Sequence, residues 1–132
     1  MTNPKNAIYL KKHIQAIEDH CLKAQINPPL MVRAAKATTE FVQNIKDKKI
    51  EKILVLVGPG NNGLDAILTA FRLRELFYDV SIIILQPIEK LRSKNSEKIK
   101  IWSKGGGSLL ECLDKNPKFD LIIDGLFGIG LN

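Results

Sequence analysis

Two glycine-rich stretches hold the residues whose types and spacing are suited to chemistry. Residues 57–66 read VGPGNNGLDA and residues 124–131 read DGLFGIGL. Peptide N–H groups in such turns can approach a phosphate closely, since glycine has no Cβ to hold the ligand away. The spacing Gly58-x-Gly60-x-x-Gly63 formally satisfies the dinucleotide fingerprint. A dehydrogenase site also wants an acid roughly 20 residues further on, at the end of the next strand, to hold the ribose. Here that strand ends in Gln86-Pro87, with no carboxylate until Glu89, which argues against an NAD dehydrogenase.

The fingerprint does not ask for Asn61, Asn62 and Asp65. One account makes them helix capping residues: the Asn62 side chain caps, and Asp65 returns a bond to the Asn62 N–H. Capping needs only one of them and is worth about 1 kcal/mol. The other account makes two amides and a carboxylate a polar site for a sugar-phosphate or a hard monovalent cation, both served by oxygen donors. Asp124 has the same duality. It either starts a loop by bonding its own backbone, or joins the asparagines at the carboxyl edge of a sheet, where open α/β sheets bind ligands. Gly125, Gly128 and Gly130 follow it, and their N–H groups can form an anion-binding nest.

The elements that must position these loops are marked by hydrophobic period. Leu10, Ile14, Ile17, Cys21 and Leu22 fall on one helical face, and that helix is expected to end before Asn27-Pro28-Pro29. Leu30, Met31, Ala34, Ala35, Thr38, Phe41, Val42 and Ile45 mark a second helix running out in KDKK. Ile53 to Val57 is apolar on both faces, as expected of a central parallel strand. A helix is predicted over 62–77 with Ala66, Ile67, Ala70, Phe71, Leu73, Leu76 and Phe77 on its stripe. A strand follows over 80–85, a basic helix over 88–104 stopped by Gly105-Gly106-Gly107, and a strand over 119–124. Leu109, Leu110 and Leu113 fit either a short helix or a short strand. The order βαβαβ over about 52–132, after helices within about 8–46, reads as one α/β domain with a parallel sheet.

Composition bounds the rest. A chain of 132 residues fits one domain. Cys21 and Cys112 form neither a CxxC pair nor a metal cluster, so they are read as small apolar residues of a cytoplasmic protein. No apolar run reaches the roughly 18 residues of a membrane span. The net charge is +6, with Lys90, Arg92, Lys94, Lys98, Lys100 and Lys104 close together. Lysines outnumber arginines 16 to 4 and Trp102 is the only aromatic of that segment, which favours a solvated helix face over a nucleic-acid surface.

Together these residues resemble the YjeF N-terminal domain family, which includes the NAD(P)H-hydrate epimerases. The family signature GNNGGDG is similar to Gly60-Asn61-Asn62-Gly63-Leu64-Asp65-Ala66, and DALFGTGL is similar to the stretch from Asp124 to Leu131. Leu30-Met31-Val32-Arg33-Ala34-Ala35 is similar to the family's LMxxAG. The resemblance implies a three-layer Rossmann-like α/β fold preceded by two helices. It implies interconversion of the R and S epimers of NADHX and NADPHX, which enter as substrates, with a dehydratase acting in the same pathway. By the same match Asn61, Asn62, Gly63, Leu64 and Asp65 contact substrate. Asn62 and Asp124 help to hold a potassium ion, one per subunit, and Gly128, Ile129 and Gly130 cradle phosphate.

Two departures qualify the expectation. Leu64 and Ala66 replace family glycines, and a leucine there is expected to obstruct the close approach of a ligand. The family also continues past the second signature into strands bearing a D-x-P-S-G-like aspartate, so the catalytic group is expected beyond Asn132. The chain is therefore read as the N-terminal portion of an epimerase-like domain, incomplete by itself and prone to pair as a homodimer or with a complementing chain. The alternative is a non-catalytic nucleotide-binding or RNA-associated module of the same fold.

Overall fold

The chain from residue 7 to residue 129 is described by a computed structural model. The described residues fall into two units, one up to Leu30 and one from Met31. The first holds helix α1 (Lys11–Lys23), in which no residue is buried: its apolar stripe is present, yet Ile17 and Leu22 are 51% and 77% exposed. Helix α2 (Leu30–Gln43) buries Ala35, Thr39 and Val42, a three- and four-residue spacing, and leaves the expected core residue Phe41 72% exposed.

The sheet of the second unit is built from β1 (Lys52–Val57), β2 (Asp79–Ile84), β3 (Ser108–Leu110) and β4 (Leu121–Gly125). All described pairings are parallel, in the order β3-β2-β1-β4. The region around Leu109, left open between helix and strand, is thus an additional edge strand. Helix α3 (Asn61–Glu75) joins β1 to β2, and helix α4 (Ser93–Lys104), after a short 3-10 turn over Ile88–Lys90, joins β2 to β3. Ile53, Val55 and Val57 of β1 and Val80 and Ile82 of β2 alternate toward Ala66, Ile67, Ala70 and Leu73 of α3 and Ile99 and Trp102 of α4. Burying the valine, leucine and isoleucine side chains among these contributes about 1.5–3 kcal/mol each before ordering costs.

Several boundaries differ from the expectation: the basic helix starts at Ser93 rather than 88 and the last strand at Leu121 rather than 119, and three others have a local reason. Helix α3 stops at Glu75, and Phe77 turns into the left-handed region at φ 67° with its ring 97% exposed, so it leaves the apolar stripe. Asp79 opens β2 rather than a turn, because its N–H already bonds the Glu51 carbonyl at 2.9 Å. Leu85 lies past the strand end and is 65% exposed. Trp102 is fully buried, edge-on to Phe71 with centroids 5.3 Å apart, and its Nε1–H donates to the Ser108 carbonyl at 3.0 Å. That bond fastens α4 to β3.

Candidate functional site

Strand order places the two glycine loops side by side. From β1 the chain moves outward through β2 and β3, then returns to the opposite side of β1 as β4, so the order reverses between β1 and β4. Ligands of open α/β sheets bind outside the carboxyl ends of the strands at such a reversal. Val57 pairs with Gly125 and Leu56 with Asp124 in register, which sets both loops at that end.

Their contact is close. The Gly58 N–H donates to the Gly125 carbonyl at 3.0 Å. A Cβ on Gly58 would lie 1.9 Å from the Leu126 carbonyl oxygen, and one on Gly63 would lie 2.0 Å from the Gly58 oxygen. Both positions therefore admit only glycine. Gly60 is different: a Cβ there meets nothing within 4 Å, and its φ of −98° suits any residue.

Helix α3 begins at Asn61 with Gly60 as its N-cap and, among the described residues, no side-chain cap bond. One of the two accounts made Asn62 a helix cap. The Asn62 side chain instead crosses to the other loop, where its Nδ2 donates to the Phe127 carbonyl at 2.7 Å. A carbonyl partner requires the amide nitrogen, so Oδ1 is the atom left to accept from or coordinate a ligand. The first-turn N–H groups of α3 have no intrahelical acceptor and carry the positive end of the helix dipole, a setting that favours an anion.

Asp124 is exposed, and its Oδ1 accepts the Leu126 N–H at 3.0 Å, the loop-starting bond that its position allowed. A carboxylate has a second oxygen that can serve as a further acceptor. Gly128 packs toward Asn62, and Ile129 is 46% exposed. Gly130 lies outside the described residues. Asp65 is half-buried on α3, with its carbonyl accepting the Thr69 hydroxyl at 2.8 Å.

The two family departures are absorbed by packing. Leu64 is only 5% exposed, so its side chain fills the fold and does not project into an open cleft, contrary to the expected obstruction. Ala66 is also buried, its methyl set against Gly125. Among the described residues no three His, Cys, Asp or Glu side chains gather as a polydentate metal centre would require. Cys21 is half-buried and Cys112 exposed, so Cys112 is not the small core residue expected of it.

Sequence reasoning missed Asn95 and Arg92. Asn95 is 2% exposed and its Nδ2 donates to the carbonyls of Gly58 at 3.1 Å and Gly60 at 2.9 Å, clamping the turn from α4. The signal was available: Asn95, Ile99 and Trp102 share one helical face, and an amide among buried apolar residues needs a specific partner. Arg92 donates from its guanidinium to Asn61 Oδ1 at 3.0 Å, a contact between residues 31 apart that no local pattern announces. Trp102, being buried, offers the basic segment no stacking surface for a base.

Comparison with known proteins agrees with this arrangement. The profile of the family described as YjeF-related protein N-terminus matches residues 27–132. The chain is 39% identical over 80 residues to the NAD(P)H-hydrate epimerase of Achromobacter xylosoxidans, covering 61% of this chain and 38% of that one. It is 32% identical over 103 residues to the NAD(P)H-hydrate epimerase of Oenococcus oeni, covering 78% of this chain and 49% of that one. With the bifunctional NAD(P)H-hydrate repair enzyme Nnr of Thermosynechococcus vestitus it shares 30% identity over 127 residues, 95% of this chain and 25% of the relative. The chain thus spans half or less of the length of these relatives. The crystal structure of yeast YNL200c has the same fold, with a TM-score of 0.73 at 19% identity, over 96% of this chain and 59% of the yeast one. A match that runs from the diproline turn through both glycine loops means that this chain belongs to the YjeF-related protein N-terminus family.

Proposed function

We propose that the chain binds the hydrate of a reduced nicotinamide nucleotide, NADHX or NADPHX, and takes part in interconverting its R and S epimers. The observation that carries this reading is the meeting of the α3 N-terminus with the β4 loop through the Asn62 to Phe127 bond. The names of the curated relatives support the substrate class.

In this reading the N–H groups of Asn61, Asn62 and Gly63 and the loop from Gly128 to Gly130 hold phosphate, while Leu64 supports the turn from within the fold. Asn62 Oδ1 and the free oxygen of Asp124 are neutral and anionic hard donors, a set that fits a potassium ion. Such an ion, when bound, would offset negative charge beside the substrate. Asp65 would meet the substrate on the first turns of α3. Epimerisation needs a positioned proton-transfer group, and this role is assigned to no residue up to Asn132; the residues named here bind and orient.

The same proposal places the protein in the cytoplasm, with its two cysteines free, working alongside a dehydratase that consumes one epimer. Among the described residues no helix is long and apolar enough to cross a membrane. It also gives the β4 edge a second copy of the chain as its partner. The test of function is direct. With mixed NADPHX epimers and an S-specific dehydratase, an epimerase drains the R form along with the S form. Persistence of the R form overturns epimerase activity for this chain.

A further inference from the structure

Arg92 has no part in the family signatures, yet it reaches the glycine turn. Strand β2 ends at Ile84, and the chain passes through Gln86-Pro87 and the Ile88–Lys90 turn before Arg92 brings its guanidinium to Asn61 Oδ1. This places the side chain on the β2 flank of β1, the flank opposite Asp124 and the β4 loop. In sheets that bind a dinucleotide across the strand-order reversal, the end of the second strand lies beside the adenosine ribose. An acid there selects a free 2′-hydroxyl, and an arginine accommodates a 2′-phosphate.

Resting on the nucleotide reading above, we infer that Arg92 recognises the ribose 2′-phosphate and makes NADPHX the preferred substrate over NADHX. Four observations carry this. The end of β2 offers no carboxylate before Glu89, so the residue type that favours NADHX is missing where it would act. Arg92 is exposed, and its bond to Asn61 uses part of a planar fork suited to phosphate oxygens. Asn61 holds the guanidinium without neutralising it, because an amide oxygen carries no net charge. The charged residues nearest to Arg92 in sequence are Glu89, Lys90 and Lys94, all exposed, two cations to one anion. Gly60, against which a Cβ would meet no protein atom within 4 Å, leaves the path from the turn to Arg92 open for a ligand.

The experiment is isothermal titration of the 132-residue chain with NADP⁺ and NAD⁺ as unhydrated probes, repeated on Arg92→Leu and Arg92→Lys. The wild type is expected to favour NADP⁺ by about tenfold or more, the usual scale of a bond to a charged group. R92L brings the ratio of the two affinities close to one, and R92K, which keeps the charge but not the fork, retains part of the preference. Thermal unfolding of each variant verifies the fold, and R92K carries the test should R92L not fold. Equal affinity of the wild type for both probes overturns the inference and leaves the nucleotide reading standing. A parallel loss of both affinities in R92L overturns it too, by assigning the guanidinium to the pyrophosphate. Binding of neither probe overturns the nucleotide reading and the inference with it.

Discussion

Three glycines share one spacing and do different things. The interval Gly58-x-Gly60-x-x-Gly63 was legible in the sequence, but the constraint on Gly58 depends on Leu126, which the chain brings back only after β4. Gly63→Ala sets a Cβ 2.0 Å from the Gly58 oxygen, a backbone atom that cannot step aside. It is expected to cost at least about 1–3 kcal/mol and to abolish nucleotide binding by distorting the turn. Gly60→Ala meets no neighbour, so its stability stays within about 0.5 kcal/mol of wild type, while affinity for NADP⁺ falls as the new methyl stands in the ligand's path. Thermal unfolding beside titration separates the two. Equal stability losses at both positions would remove the assignment of Gly60 to the ligand. Asn62 teaches the same lesson: its type was readable as a site residue, but its partner, Phe127, was 65 residues away.

Among the elements, the entry to the sheet is held by a single carboxylate. Asp120 precedes β4, and its Oδ2 accepts the N–H groups of Lys52, which opens β1, at 2.8 Å and of Glu51, just before it, at 2.9 Å. The Lys48 ammonium donates to the Asp120 carbonyl. The bond from Lys52 first, then that from Glu51, holds the Asp120 carboxyl below its ordinary value of 3.8. Both bonds favour the charged form, so the sign follows. Their stabilisation is present above the unfolded value and is lost as pH falls below it, through the lower folded value. Urea midpoints taken from neutral pH to about pH 2 should show the loss, and Asp120→Asn should weaken the fold at neutral pH and remove that part of the acid dependence. An unchanged acid limb in the variant would show that the clamp contributes nothing. The strand over 119–124 was readable from its apolar run. The clamp was not, since it pairs residues 68 and 69 apart.

At the scale of the whole molecule, the sheet has an edge that invites a partner. Among the described residues β4 pairs only with β1. Ile122 on its outer face is 58% exposed, and Phe127 and Ile129 in the loop beyond are 64% and 46% exposed. An open strand edge with apolar side chains associates readily. Sedimentation at rising micromolar concentration should reveal self-association, and Ile122→Lys should weaken it without loss of fold, because that side chain already faces water. A wild-type chain that stays monomeric across the range would rule the β4 edge out as a self-interface.

The sequence by itself determined the parallel α/β class, the two glycine loops and the family, because hydrophobic period and glycine spacing are local properties that survive without a fold. It also announced the polar residues Asn61, Asn62, Asp65 and Asp124, but left Asn62 and Asp65 between capping and function and Asp124 between a loop-starting bond and function. Only the tertiary structure took the Asn62 side chain across to Phe127, sank Leu64 and Ala66 into the packing, and brought Asn95 and Arg92 to the turn from α4 and the segment leading into it. Those outcomes turn on hydrogen bonds and contacts across 31 to 65 residues of chain, whose existence depends on strand order, and strand order is set by the packing of the whole sheet.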